Sequence, residues 1–171
     1  MFAPLIMVFF ISAKIGSMSY SKARTMFFVF SGIMGLSLST IFLIYTATSI
    51  AKVFFMTSAV FGAMSIYGYT TKKDLTSFGS FAFMGLIGII ILSVINIFTQ
   101  SSAMQFVISL AALAIFIGLT AYDTQKLKRL YYQLGGTSEQ AKKVGIMGAL
   151  SLYMDFINIF IHLLHFFGDR R

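Results

Sequence analysis

The last long apolar run of the chain, residues 144–167, reads VGIMGALSLYMDFINIFIHLLHFF and carries an aspartate, Asp155, at its centre. The run is long enough to cross the ~30 Å hydrocarbon core of a bilayer as a helix. A carboxylate at that depth costs about 3 kcal/mol or more even on lenient insertion scales. It therefore faces a bundle interior or a wet cavity, and by default it marks a functional site. The chain has few acids with which to serve it: Asp74, Asp123, Glu139, Asp155 and Asp169 complete the set.

Composition decides the solvent. Hydrophobic residues make up 58% of 171 residues and charged ones 11%, against about 25% charged in a soluble domain. So much apolar surface does not fit in the chain's own core, which predicts an all-α integral membrane protein in a lipid bilayer. The net charge of +8 does not signal a nucleic-acid partner, because the cations sit in short clusters between apolar runs, where topology signals belong. There is no cysteine, so disulfide, thiol and Cys-metal chemistry are excluded. The single proline is Pro4, which leaves the later helices without proline kinks. The start, MFAPLIMVFFISAK, lacks the basic region and the cleavage site of a signal peptide.

At roughly 20 apolar residues per crossing, six spans are expected: 2–19, 25–47, 52–71, 76–98, 104–124 and 144–167. No internal repeat or linker divides them, so residues 1–171 read as a single polytopic domain. The segment 125–143, QKLKRLYYQLGGTSEQAKK, is polar, with Gly135-Gly136 as its turn. Alternate loops put Lys14, Lys22, Arg24, Lys72, Lys73, Lys126, Lys128, Arg129, Lys142 and Lys143 on one side, and Lys52, Arg170 and Arg171 on the other. Cytoplasmic loops retain the positive excess, so 125–143 is expected in the cytoplasm and both chain ends outside. A first helix entering from outside with almost no flank predicts one further helix, starting in the cytoplasm, ahead of Met1.

Within the last span the non-aliphatic residues Gly148, Ser151, Asp155, Asn158, His162 and His165 recur at spacings of three and four, which is one helical face. That stripe is expected to face other helices. The bland reading is a packing seam held by interhelical hydrogen bonds, each worth about 0.6–2 kcal/mol, but a seam does not need an acid. Ser31 and Gly35, Ser58, Gly62 and Ser65, and Gly85 and Gly88 read as small-residue packing surfaces on the earlier spans. Asn96 is a candidate pore-lining or cross-helix donor. Tyr20, Tyr122, Tyr131 and Tyr132 read as an interface belt.

Asp123 ends the fifth span in GLTAYDTQKLKR. One reading makes it an interfacial acid paired with Lys126 or Lys128. The other makes it a partner of Asp155, since the 125–143 connection turns the fifth and sixth helices into antiparallel neighbours. Two carboxylates in contact share a proton, respond to pH and attract a divalent cation. His162 and His165, at i and i+3, make a weak metal signal.

Three stretches carry a family resemblance that runs across essentially the whole chain: GALSLYMDFINIFIHLL at 148–164, AYDTQKLK at 121–128 and FGAMSIYGYTTKKDLTSFGSF at 61–81. Together they resemble the Bax inhibitor-1, or transmembrane Bax inhibitor motif, family, most of all its bacterial branch. The resemblance implies a seven-helix bundle with the last helix at its centre, of which six spans are present here. It implies a pH-sensitive calcium leak channel in the bacterial cytoplasmic membrane, and its di-aspartyl sensor maps onto Asp123 and Asp155. Calcium is implied as a transient ligand of that pair and as the permeant ion, with no resident cofactor. Ser151, Asn158, Asn96, His162 and Lys14 are the candidate pore or network residues. Where the family's channel member has a latch arginine, this chain has Ser17, with Lys14 close by.

A proton-gated cation leak is therefore the leading expectation, and no enzyme activity is expected. A non-conducting regulator of stress, of cell death or of a membrane protease is the main alternative, with other membrane proteins as partners. A proton-coupled calcium exchanger differs from a leak only in stoichiometry. An intramembrane aspartyl protease is remote: neither its G-x-G-D nor its Pro-Ala-Leu motif is present.

Overall fold

The computed structural model describes Lys14 and residues 16–171. The first expected span, 2–19, falls almost wholly outside the described residues. From Tyr20 onward the chain is helical: α1 (Tyr20–Leu38), a single turn α2 (Ile41–Ile44), α3 (Ala47–Thr70), α4 (Thr76–Thr99), α5 (Ser102–Gln133) and α6 (Glu139–Phe167). Five helices among the described residues, counting α1 and α2 as one span, are long and apolar enough to cross a membrane. Among the described residues the only β-type pairing is an isolated bridge between Tyr45 and Arg170. The protein is thus an all-α membrane protein, as its composition requires.

Helix starts are set by hydroxyl caps. Ser19, Thr46, Ser101 and Ser138 each accept the backbone N–H three residues on, which satisfies one of the four amides that a helix leaves unpaired at its start. Ser138 explains a correction. The segment 125–143 is mostly helix rather than loop: α5 runs on to Gln133 and α6 starts at Glu139, so only 134–138 turn. Gly135 and Gly136 both take positive φ, 73° and 70°, which glycine adopts at little cost. Polarity misled here because a helix leaving the bilayer keeps its hydrogen bonds while its side chains change solvent.

α5 and α6 form the central hairpin. α6 also packs against α3 and α1, and α5 against α3 and α4. One side of α6 meets α1 through Leu150 and Tyr153, which lie against Phe30 and Met34. Another meets α3, where Phe156 stands edge-on to Phe54 and Phe61 and Ile159, Phe160 and Leu163 join Val53 and Tyr45. From residue 143 to 164 nothing on α6 is exposed.

Close helix approach uses only some of the glycines expected, Gly85 and Gly148, together with others. Gly35, Gly62 and Gly88 face open space, and only Gly85 touches a neighbour, Ile115. Ser31 and Ser58 donate to their own helix's carbonyls four residues back. A small residue facing lipid is harmless, so its presence says little about packing. The tight contacts are Gly68 on the backbone of Ala121, Gly79 on the Tyr122 ring, Gly118 on Phe78 and Gly148 on Leu127. Tyr122 is accordingly a half-buried packing residue between α4 and α5, not part of an interface belt.

Candidate functional site

The extension of α5 past the expected boundary brings Asp123 level with the stripe on α6. Asp155 is 3% exposed, and Asp123 is half-buried. Their carboxyls interact directly across the α5–α6 interface, and Lys126 is the cation that acts on Asp123. With both groups ionised, neither can donate, and Asp155 Oδ2 has no hydrogen-bond partner among the described residues. A proton on either carboxyl converts the contact into a charge-assisted hydrogen bond. Buried polar atoms are nearly always paired, so an orphan at such a place calls for an explanation.

A cavity of about 280 Å³ reaches Asp123, lined by it and by Lys126, Leu127, Met147, Gly148 and Ser151 among others, while Asp155 lies behind that wall. It lies between α5 and α6 on the side of the 134–138 turn. Gly148 makes room for the Leu127 side chain, which occupies the space a Cβ would need. Ser151, one turn from Asp155 on the same face, supplies a hydroxyl to the cavity wall.

The other candidates divide. Asn158 lies one turn beyond Asp155 on the stripe, and its Nδ2 donates to the Met154 carbonyl at 2.8 Å. His162, a further turn on, is stacked on Phe116 at 6.4 Å between centroids and 22° between planes. Asn96 is remote from the acids. Its Nδ2 donates to Gln105 Oε1 at 3.1 Å, while its Oδ1 accepts from the Ser101 amide and the Thr99 hydroxyl. It is a cross-helix donor that ties the α4–α5 turn, at the far end of α5 from Asp123. Lys14 is exposed, and its carbonyl accepts from both the amide and the hydroxyl of Ser17. Ser17, also exposed, is committed to that local turn.

For a metal, no group of three or more His, Cys, Asp or Glu side chains converges among the described residues. Calcium takes six to eight oxygens, and the two carboxyls and the Ser151 hydroxyl supply only part of such a shell.

The sequence reading passed over Gln125. It is 6% exposed, and its amide closes the α3–α4 connection onto α5: Oε1 accepts from the Leu75 amide at 3.0 Å and Nε2 donates to the Lys73 carbonyl at 2.8 Å. Arg129, one turn on, donates to the same Oε1 at 2.8 Å and to Asp74 at 2.9 Å. Ala121, Gln125 and Arg129 follow at intervals of four and share one face, a signal hidden by the polarity of the segment. The Thr76 hydroxyl and amide, followed by Arg129, hold the Asp74 carboxyl well below the usual carboxylate range.

A helical bundle enclosing a polar helix that carries a buried acid, with a second acid facing it, defines a polytopic all-α membrane protein. Comparison with known proteins gives its family. The family described as "Inhibitor of apoptosis-promoting Bax1" matches residues 1–171, and the chain belongs to that Bax inhibitor family. It is 51% identical over 171 residues to protein RP147 of Rickettsia prowazekii, covering 100% of this chain and 72% of that protein. It is 46% identical over 170 residues to the inner membrane protein YbhL of Escherichia coli K12, covering 99% and 73%. A membrane protein of Streptococcus pyogenes serotype M1 is 40% identical over 164 residues, covering 96% of this chain and 70% of its own.

Proposed function

We propose that the chain is a passive cation leak whose gate is the Asp123–Asp155 pair, with calcium as the ion and protons as the control. The observation that carries this reading is Asp155 Oδ2, buried without a partner beside a second carboxyl and behind a cavity. Two ionised carboxyls repel each other at low dielectric, and a single shared proton holds them together. Charge state then sets how α6 packs on α5, and a ligand or proton that binds one packing better shifts the population toward it. The open arrangement, with two charges, offers a divalent cation its best temporary site.

Calcium flux into liposomes containing the purified protein, followed from about pH 5 to pH 8, tests it. The wild type should conduct with a pH-dependent rate, and Asp155→Asn should conduct at a rate that no longer follows pH. Absence of flux at every pH would leave the second reading, a non-conducting membrane regulator, which the family's description favours. The location proposed is the bacterial cytoplasmic membrane, with the 134–138 turn on the cytoplasmic side. A reporter fused after Gly136 should then read cytoplasmic and one after Arg171 external. Finding both on one side rejects that orientation.

A further inference from the structure

A second cavity, of about 380 Å³, opens between the end of α3, the α3–α4 connection and the last turns of α5. Tyr69, Lys72, Gln125, Lys128, Arg129 and Tyr132 line it. It lies beside the carboxyl cavity, with Gln125 in its wall and Asp123 two residues away along α5, but it shares no lining residue with it.

Its charge is unbalanced. Arg129 is paired with Asp74 at 2.9 Å. Lys128 has no carboxylate partner among the described residues; its Nζ donates to the Tyr69 carbonyl at 2.7 Å and stands 4.3 Å from the centroid of the Tyr69 ring. Lys72 is exposed and makes no ion pair among the described residues. Three cations thus face one acid, and that acid sits outside the wall. The carbonyl and the ring keep Lys128 fixed at the rim, and the Gln125–Arg129–Asp74 network does the same for Arg129. A pocket with pre-ordered donors loses less side-chain entropy on binding an anion.

Depth selects the anion. Tyr69 and Tyr132 stand 52% and 65% exposed within a residue of the ends of α3 and α5, and aromatic residues at the ends of spanning helices suit the headgroup layer. One turn deeper on α3, Ile66 is 67% exposed and offers apolar surface to an acyl chain. A soluble anion would use the cations and leave that surface idle, whereas a phospholipid uses both. We propose that this pocket binds the phosphodiester headgroup of an anionic phospholipid, held by Lys72, Lys128 and Arg129, with its chains along the outer face of α3. Basic pockets between spanning helices are known to serve such headgroups.

The test titrates the purified protein in nonionic detergent with dioleoyl phosphatidylglycerol, dioleoyl phosphatidylcholine or soluble glycerol phosphate, and counts bound molecules by native mass spectrometry. Phosphatidylglycerol should bind in preference to phosphatidylcholine. At roughly fivefold per cation, Lys72→Gln should weaken it about fivefold and the Lys72→Gln, Lys128→Gln pair about 30-fold. The Lys72→Arg, Lys128→Arg pair should retain binding. Lys142→Gln with Lys143→Gln removes the same charge at the start of α6 and should leave affinity unchanged. The single Lys72→Gln, which breaks no contact, keeps the test decisive if the double variant does not fold. Wild-type affinity in both Lys72→Gln and the Lys72→Gln, Lys128→Gln pair, equal loss in the Lys142 and Lys143 control, or binding fully reproduced by glycerol phosphate would each overturn the proposal.

Discussion

α4 and α6 invert the order familiar from soluble proteins. α4 has the highest mean hydropathy of the five spans, yet Phe81, Ile91 and Phe98 stand 68%, 55% and 83% exposed. α6 carries a glycine, serine, aspartate, asparagine and histidine stripe, yet it is the most enclosed span. Lipid tails are as apolar as leucine, so moving an apolar face from lipid to a neighbouring helix gains little. A polar group left in hydrocarbon costs several kcal/mol. Polarity and small size, not hydrophobicity, therefore decide which helix this bundle places at its centre, and the helix so placed carries the acid.

The largest effects should come from removing that acid. Asp155→Leu should reduce cation flux to background while the protein stays in the membrane. Asp155→Asn and Asp123→Asn should each flatten the pH profile, and the double variant should resemble either single one, because the two groups act as a unit. Flux and pH profile surviving Asp155→Leu unchanged would reduce the stripe on α6 to a packing seam.

Next in size is a charge placed on each of the two faces. Lysine at Ile91, on the lipid side of α4, should cost about 2.5–3.5 kcal/mol of insertion free energy, measured as the inserted fraction in a translocation assay. Lysine at Ser151, beside Asp123 in the cavity wall, should cost less, because two carboxyls and the cavity receive it. Equal costs would mean that the faces do not differ in the way argued.

Glycines sharpen the contrast on a smaller scale. A Cβ at Gly68 would stand 2.8 Å from the carbonyl carbon of Ala121, which cannot move without the helix. Gly68→Ala should therefore destabilise by about 1–3 kcal/mol in detergent unfolding. Gly88→Ala on α4 meets nothing within 4 Å and should be neutral, or stabilising by up to about 1 kcal/mol from helix propensity.

The smallest effect belongs to the α3–α4 connection. A carboxyl held below its ordinary range stabilises above that range, and its contribution disappears as pH falls through its folded value. The Asp74 clamp should thus hold at neutral and mildly acid pH and loosen only in strong acid. Hydrogen exchange of residues 71–75 should stay constant between about pH 8 and pH 5 after correction for intrinsic rates, and it should rise in Asp74→Asn. Loosening within that window would place part of any pH response here rather than at Asp155.

Much of this was legible from residues alone. The acid at membrane depth and the three-and-four spacing of its stripe predict that α6 is enclosed, while the antiparallel hairpin left Asp123 open between a lysine-paired interfacial acid and a partner of Asp155. The family motifs point to the same two acids. The glycines at Gly35, Gly62 and Gly88 were overread, since a small residue looks the same in sequence whether a helix or a lipid tail faces it. Gln125 was missed because a glutamine among lysines reads as a solvated face.

The sequence by itself determined the solvent, the five spans from Tyr20 onward and the periodic placement of polar groups. Those follow from hydrogen bonding within a single segment and from the partition of its side chains between water and lipid, both of which are local. Tertiary structure alone decided the register between helices. It set where α5 continues beyond the bilayer, which glycine meets which backbone, how Gln125 reaches across 50 residues to the Leu75 amide, and that Asp155 keeps one oxygen unpaired. Register depends on contacts between segments far apart in the chain, and the physical reason it escapes a sequence is that each helix would be equally stable rotated or shifted by a turn until its neighbours are in place.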